Sequence, residues 1–260
     1  MRILIFCVFL LSACASKEYQ DIPNSITVDS GSFILLESEK AGFDGYFVNK
    51  RNKELLVYGL PYVNEDTMQK LGDYELLILQ KDFGESRIEI TDQNLVLPKL
   101  EDQKRASAEY LKVRKIIKNK TKQFDDNFEF LSPIESVITS AFGKRRFINN
   151  NERSPHMALD LRGAVGREIF APKNGKVVLA ENHFYGGNKV ILDHGGGLFT
   201  AYSHMSEILV EPEDVIEAGT VIGFVGMTGR VTGPHLHWEV FLNGNRINPE
   251  LLVDLEYAQD

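Results

Sequence analysis

The sequence predicts a mostly β protein in which two β-rich parts are joined by one helix. Short runs of β-branched, aromatic and aliphatic residues recur through residues 20–98 and again beyond residue 124, with glycine-containing or polar breaks between them. The stretch between these two parts instead repeats apolar residues at a helical spacing. At 260 residues, the chain is long enough for one large domain or two modest ones.

The first part, residues 20–98, is predicted to be a small β-sandwich-like domain. Its strand-like runs are residues 32–37, 54–58 and 74–79, and short strands at this spacing are typical of a sandwich. This part has no cysteine or histidine, and its carboxylates form no pattern typical of a catalytic site. We therefore expect a structural or binding module.

Residues 99–122 are predicted to form a linker helix with a basic surface. Ala106, Tyr110, Val113 and Ile117 recur at i, i+4, i+7 and i+11, which is the apolar stripe of a helix. The segment has nine lysines and arginines against three acidic residues. It is either a solvated face that joins two domains, which we prefer, or a surface attracted to anionic wall polymer or lipid headgroups.

The second β-rich part, residues 124–255, differs in composition from the first. All six histidines lie at or beyond His156, and 15 of the 21 glycines lie beyond Lys122. Strand-like runs separated by glycine-rich turns dominate it, and little helical periodicity remains. The predicted strands are residues 176–180, 189–193, 220–226 and 236–242.

The charge balance excludes one class of partner. The formal net charge is −8, so the chain as a whole has no electrostatic attraction to nucleic acid or anionic lipid. We expect no nucleic-acid partner.

The first residues have the pattern of a secretory signal. Arg2 precedes an apolar run that is too short to span a bilayer, and Leu11-Ser12-Ala13-Cys14 resembles the bacterial lipobox. Residues 1–13 are therefore a predicted lipoprotein signal peptide, with Cys14 lipidated and the chain attached to a membrane by this anchor. The alternative is an ordinary signal peptide that is cut near Ala13 or Ala15.

Cysteine usage agrees with a lipid anchor. Cys7 lies inside the signal and Cys14 carries the lipid, so the mature chain has no disulfide. No Asp follows Cys14, and by resemblance to sorted lipoproteins this favours the outer membrane, facing the periplasm, in a diderm source.

Two short segments carry candidate metal ligands. In a strand, residues i and i+2 project from the same face, so His235 and His237 would point the same way. His156 and Asp160 supply an imidazole and a carboxylate four residues apart, and His204 follows an aromatic strand. Three protein ligands with one open position are typical of a catalytic zinc site.

The order of these elements resembles the lysostaphin and LytM-type zinc endopeptidases. The pattern H-x-x-x-D, then Y-x-H, then G-P-H-L-H-W carries the resemblance, which covers about residues 130–252. It implies an antiparallel β-sheet peptidase domain and one Zn²⁺ per chain. Further matching segments are residues 140–145 (SAFGKR), 171–177 (APKNGKV), 192–195 (LDHG), 228–234 (TGRVTGP) and 248–249 (NP).

The resemblance implies a role for each matching residue. His156, Asp160 and His237 match the zinc ligands, while His235 and His204 match the two histidines that are not ligands. No H-E-x-x-H helix supplies a glutamate base, so a histidine must take the proton of the attacking water. We assign His235 as that base and His204 to the tetrahedral oxyanion, and the two roles can also be exchanged.

Two further positions are candidate substrate contacts, and one position departs from the family motif. Tyr202 alternates with His204 along a strand, and Asn188 follows a glycine pair, so both are predicted to contact substrate. Ala158 stands where the family motif usually has glycine, which matters only if the backbone there needs a positive φ or a close approach. We interpret Ala158 as tolerated variation.

The residues themselves predict a hydrolytic zinc site with three ligands, and the resemblance implies a hydrolase of the bacterial cell wall. The expected substrate is the peptide stem of peptidoglycan, cut at a D-alanyl-diaminopimelate cross-link. A glycine bridge is the alternative substrate, because no residue in the sequence excludes it. One alternative is an envelope lipoprotein that activates or scaffolds a cell-wall amidase. A second is an enzyme that a protein regulator controls through the N-terminal module.

Overall fold

The computed structural model describes residues 25–258, and the fold is mostly β, as predicted. The predicted signal peptide and Cys14 lie outside the described residues. No helix within residues 25–258 is both long and apolar enough to cross a membrane.

The first part of the chain forms two three-stranded sheets. One sheet has the order β1-β6-β5, with β1 parallel to β6, and the other is antiparallel with the order β2-β4-β3. Both sheets contribute to one hydrophobic cluster that includes Leu36, Leu56, Leu76 and Ile78. The strands of these two sheets are β1 (Ser25–Asp29), β2 (Phe33–Glu37), β3 (Tyr46–Lys50), β4 (Lys53–Gly59), β5 (Thr67–Leu71) and β6 (Tyr74–Leu79), while β7 (Glu85–Ile88) belongs to neither sheet.

Three α-helices are described, and the longest corresponds to the predicted linker helix. They are α1 (Ser38–Ala41), α2 (Gln93–Val96) and α3 (Leu100–Ile116). The end of the predicted stripe, Val113 and Ile117, is buried, but Tyr110 is 52% exposed, so only the C-terminal half of the stripe packs.

The second part of the chain is built on one eight-stranded antiparallel sheet. Its order is β17-β13-β14-β15-β19-β11-β8, with β20 paired to β19, and a 3₁₀ helix at Pro249–Leu251 follows. The strands of this part are β8 (Ile138–Ser140), β9 (Arg145–Ile148), β10 (Asn151–Arg153), β11 (Leu159–Arg162), β12 (Glu168–Phe170), β13 (Gly175–His183), β14 (Gly187–Gly195), β15 (Leu198–Met205), β16 (Glu207–Ile208), β17 (Val215–Ile216), β18 (Val221–Phe224), β19 (His235–Leu242) and β20 (Asn245–Ile247).

Both faces of this sheet are covered, which explains why every residue of β15 is buried. Side chains alternate between faces along a strand. One face packs Val190, Tyr202 and Trp238 into the main core. On the opposite face, Ile191, Phe199 and Phe241 pack against Val113 of α3 and Ile117, which follows that helix. The sheet therefore carries apolar residues on both sides.

The two parts of the chain share a core and a sheet. Tyr46, Val48 and Val57 from β3 and β4 belong to the same cluster as Leu198 and Ile247 of the large sheet. In addition, β7 pairs in parallel with β9. The predicted boundary near residue 98 remains a prediction, but the two parts contact each other through buried apolar surface.

A buried tyrosine supports this contact with hydrogen bonds. The Tyr46 hydroxyl lies 2.9 Å from Asp125 Oδ1 and 2.8 Å from the Asn127 carbonyl oxygen. The buried Lys173 ammonium pairs with the same Asp125 carboxylate.

We expect Tyr46→Phe to lower the free energy of unfolding by about 1–2 kcal/mol, because it removes a partly buried hydrogen bond to a charged acceptor. Urea denaturation of the full chain would measure the change. Tyr110→Phe is the matched control, since that side chain is exposed, and its effect should stay within about 0.5 kcal/mol. Equal effects of the two substitutions would contradict the proposed role of Tyr46.

The His194 side chain is fully buried on β14. Its Nδ1 lies 2.7 Å from the Asn174 carbonyl oxygen and its Nε2 lies 2.8 Å from Thr200 Oγ1, so both ring nitrogens have hydrogen-bond partners inside the fold. Burial lowers the pKa of His194 from 6.5 to about 4.

Between pH 6.5 and about 4, the unfolded chain binds a proton at His194 that the folded chain does not bind. Stability should therefore fall as the pH drops through this window, by about 3 kcal/mol in total from this group. His194→Gln cannot titrate, so its unfolding free energy should depend less steeply on pH than that of the wild type. Parallel pH dependences in urea denaturation would overturn this prediction.

Candidate active site

Three candidate metal ligands come together at the site. Two of them lie on neighbouring strands, and the third lies on the segment before one of these strands. Strand β11 pairs antiparallel with β19, and Asp160 lies directly opposite His237 in this register. His156 precedes β11 and is held by two backbone hydrogen bonds, from its own N–H to the Lys144 carbonyl and from the Gly143 N–H to its carbonyl.

The three side chains enclose a position that a metal ion fits. His156 Nε2 lies 3.0 Å from Asp160 Oδ1 and 3.3 Å from His237 Nδ1, and His237 Nδ1 lies 2.8 Å from Asp160 Oδ1. Ligands at tetrahedral zinc distances are separated from one another by about 3.3 Å. The three donor atoms therefore form one face of a tetrahedron of about the correct size, and they offer no thiolate.

The orientation of His156 is fixed by contacts that the sequence did not reveal. Its Nδ1 lies 3.0 Å from the Ala141 carbonyl oxygen and 3.3 Å from Ser140 Oγ. If Nδ1–H donates to that carbonyl, the lone pair of Nε2 points at the metal position. A backbone acceptor has no residue-type signature, so only the general match of residues 140–145 pointed to this segment.

The two remaining histidines of the site lie beside His237 and Asp160, with His235 Nε2 3.7 Å from Asp160 Oδ1. The ring centroids of His204 and His235 are 5.0 Å apart, and those of His204 and His237 are 5.4 Å apart. Nδ1 of His204 lies 2.9 Å from the Thr228 carbonyl oxygen, and Nδ1 of His235 lies 2.9 Å from that of Gly233. In the neutral form with Nδ1 protonated, both rings present Nε2 as a proton acceptor.

His204 reaches the site because its backbone is unusual. Its φ is +66°, a left-handed conformation that residues other than glycine seldom adopt, and its N–H donates to the Gly186 carbonyl at 2.7 Å. Strained backbone of this kind occurs often at functional sites. The side chain is thereby turned toward His237 although the strand alternation alone would point it to the other face.

This conformation corrects the prediction for Tyr202. The expected alternation with His204 would place both side chains on one face, but the left-handed residue breaks the alternation. Tyr202 pairs with Trp238, is fully buried in the main core, and its hydroxyl lies 2.7 Å from Thr200 Oγ1. A buried phenol reaches no substrate, so the predicted substrate contact is wrong for this side chain.

Asn188 holds neighbouring loop backbone. Its Nδ2 donates to the carbonyl oxygens of Met205 and Ser206, at 3.1 and 3.2 Å, and its Oδ1 accepts from Asn182. Its contact with substrate stays a prediction. Ala158 is fully buried and is not among the residues with positive φ, so its backbone does not require glycine.

Burial and neighbouring charge set the protonation of the site. Burial raises the pKa of Asp160, but the His156 and His237 imidazoles outweigh it and hold that pKa well below its usual range. Burial lowers the pKa of His237 to about 4, against the opposing effect of Asp160. Burial and the two neighbouring imidazoles also lower the pKa of His204. Neutral imidazoles and an ionised carboxylate are the forms that bind a metal.

One carboxylate near the site is already paired with two cations. Glu239 lies two residues beyond His237 on β19, where it pairs with the buried Lys189 and with Arg246. These cations lower the pKa of Glu239 although burial alone would raise it. Glu239 is therefore a structural ion-pair member, and the imidazoles remain the groups that can accept a proton at the site.

The comparisons with known proteins agree with this geometry. Over 119 residues, the chain is 40% identical to the peptidoglycan DD-endopeptidase ShyA of Vibrio cholerae, a match that covers 45% of this chain and 28% of that protein. It is 37% identical over 112 residues to the DD-carboxypeptidase/endopeptidase Mpg of Neisseria meningitidis, covering 43% of this chain and 26% of the relative. The chain thus spans less than a third of the length of these curated relatives.

A solved structure covers more of the chain. A Pseudomonas aeruginosa protein assigned to peptidase M23 superposes on 86% of this chain and 94% of its own, with a TM-score of 0.69 and 28% identity. The model of peptidase family M23 matches residues 154–249, which contain all five candidate metal and catalytic side chains. Residues 154–249 are therefore a peptidase family M23 domain.

Proposed function

We propose that this chain is a zinc-dependent endopeptidase that hydrolyses peptide cross-links of bacterial peptidoglycan. The observation that carries the proposal is the convergence of His156, Asp160 and His237 on one metal position with two further imidazoles beside it. The relatives named as peptidoglycan DD-endopeptidases support the substrate class, and we take the D-alanyl-diaminopimelate bond as the one that is cut.

His156, Asp160 and His237 would hold a zinc ion, with Nε2, Oδ1 and Nδ1 as the atoms that face its position. A zinc ion in such a site supplies Lewis acidity, which polarises a carbonyl and acidifies water. His235 accepts the proton of the attacking water at Nε2 and returns it to the leaving amine. Its Nδ1 hydrogen bond to the Gly233 carbonyl keeps the ring oriented for this transfer.

We assign His204 to the developing oxyanion. Its Nδ1 is already paired with the Thr228 carbonyl, so Nε2 is the atom that faces the reaction. A neutral ring accepts at Nε2, and the ring must be protonated there to donate to an oxyanion. The division of roles between His204 and His235 therefore stays a prediction.

We propose that the chain is exported and anchored through a lipid on Cys14, facing the periplasm from the outer membrane, on the strength of the lipobox-like run. A protein regulator acting through the N-terminal part is a further element, supported by the contact of that part with the peptidase sheet.

Metal content tests the ligand assignment. We expect wild-type protein to retain one zinc per chain after dialysis, and His156→Ala and His237→Ala to retain little, because three ligands define the site. His204→Ala and His235→Ala should keep the metal. Elemental analysis by mass spectrometry gives the stoichiometry. Since His204, His235 and His237 also lie close enough to hold a metal, loss of zinc in His235→Ala would show that the assignment is wrong.

Digestion of purified sacculi tests the activity. Zinc-loaded wild type should release muropeptides whose masses show cleavage at the D-alanyl-diaminopimelate bond, and His237→Ala should release almost none. His235→Ala should be slower than wild type by about 10²- to 10⁴-fold, the usual contribution of a general base. If wild type and His237→Ala release equal amounts, the metal mechanism is refuted. If neither cuts but both stimulate a purified amidase, the activator function replaces the enzyme.

A further inference from the structure

Within residues 25–258, three arginines on segments next to His156 or His204 have no carboxylate partner at ion-pair distance. We call Arg146, Arg153 and Arg230 the arginine corner. Within residues 25–258, none of the three takes part in an ion pair. Arg146 and Arg153 stand directly opposite each other on β9 and β10. Like charges at directly opposed positions of a sheet repel, so this arrangement costs stability unless an anion joins it.

Arg146 is brought to the site by the strand that supports a metal ligand. The chain enters β9 immediately after Lys144, whose carbonyl accepts the N–H of His156. The Arg146 side chain is half-buried, and its Nε is buried with no hydrogen-bond partner. A buried N–H without an acceptor is unfavourable, so the site lacks an acceptor that this group would use. Burial lowers the pKa of Arg146, and the negative charge of Asp160 acts against that effect, which places the two groups within electrostatic range.

Arg230 approaches from the loop after β18. Its guanidinium carbon lies 4.1 Å from the centroid of the Tyr185 ring, and its Nη1 lies 3.4 Å from the Leu95 carbonyl oxygen. Burial lowers the pKa of Arg230, and the charges of Arg146 and Arg153 lower it further. The three positive charges therefore repel one another, and the Tyr185 ring contacts the Arg230 guanidinium and holds it in place.

The neighbouring Arg145, also on β9, has its charge neutralised by ion pairs. It projects from the opposite face of β9 and pairs with Glu85 and Glu152, at 3.3 and 3.0 Å. Glu85 and Glu152 thus lie on the same three-stranded sheet, β10-β9-β7, but both pair with Arg145 on its other face. The face toward the metal site keeps its positive charge.

We propose that the arginine corner is a carboxylate-binding subsite for the peptide substrate. The inference rests on the proposed function and narrows its substrate. In a D-alanyl-diaminopimelate cross-link, the carbon bonded to the scissile nitrogen also carries a free carboxylate, next to the reacting bond. Guanidinium groups bind a carboxylate through two parallel hydrogen bonds, which gives direction as well as strength. A glycine bridge or a lysine at this position lacks that carboxylate, so the subsite selects against both.

Two synthetic cross-linked peptides test the subsite. They differ only at the diaminopimelate group beside the scissile bond, which is a free carboxylate in one and a carboxamide in the other. Wild type should cleave the carboxylate peptide with a kcat/KM about 10- to 100-fold higher, the range expected for a hydrogen bond to a charged group. Arg146→Gln should remove this preference, mainly through KM, and should change cleavage of the carboxamide peptide by less than about 3-fold.

Arg145→Gln is the matched control, because it removes the same charge one residue away on the face already neutralised. It should leave the preference intact. Arg230→Gln is the second variant in case Arg146→Gln does not fold, and it should reduce the preference as well. Equal loss on both peptides in Arg146→Gln, or an unchanged preference in both Arg146→Gln and Arg230→Gln, would overturn the subsite.

A binding measurement separates this inference from the proposed function. Calorimetric titration of the full chain with the diaminopimelate tripeptide, and with its carboxamide, does not require cleavage. Carboxylate-dependent binding that Arg146→Gln abolishes supports the subsite even if no peptide is hydrolysed, in which case the endopeptidase proposal fails alone. Cleavage of both peptides at equal rates leaves the endopeptidase standing and removes the subsite.

Discussion

The antiparallel pairing of β11 with β19 sets Asp160 opposite His237, and the geometry of the site depends on that register. Side chains alternate with a period of two along a strand, so a slip of one residue would turn either ligand to the opposite face. The register is protected by burial, because Leu159, Leu161, Leu236 and Trp238 fill the main core from the other face. Apolar packing on one side of the sheet therefore fixes the positions of the polar ligands on the other.

The same sheet has to hold several ionisable groups close to apolar surface. It does so in two ways. The imidazoles of His156, His204 and His235 lie near backbone carbonyls that accept from Nδ1. Burial keeps the rings of His204 and His237 neutral at physiological pH. Farther along β19, Glu239 is balanced by Lys189 and Arg246. Within residues 25–258, the three cations of the arginine corner take part in no such pair.

Much of the fold and part of the site were predictable from local pattern. The strand period alone places His235 and His237 on one face, and the apolar runs predicted β2, β4, β6 and the main strands of the peptidase domain. The conformation of His204 could not be foreseen, since a left-handed residue that is not glycine leaves no sequence signal, and the prediction for Tyr202 failed for that reason. The arginine corner depends on which face of β9 each arginine occupies and on a loop contact from Arg230, and both are tertiary features.

The core shared between the two parts of the chain limits how the peptidase domain can be reused. Tyr46, Val48 and Val57 complete the packing around Leu198 and Ile247, so excision of residues 25–98 would open apolar surface under the central sheet. The catalytic unit is therefore not a self-contained cassette that can be transplanted between proteins at its family boundaries. A graft that preserves its architecture has to carry β3 and β4 with it, or replace their buried side chains with others of the same shape.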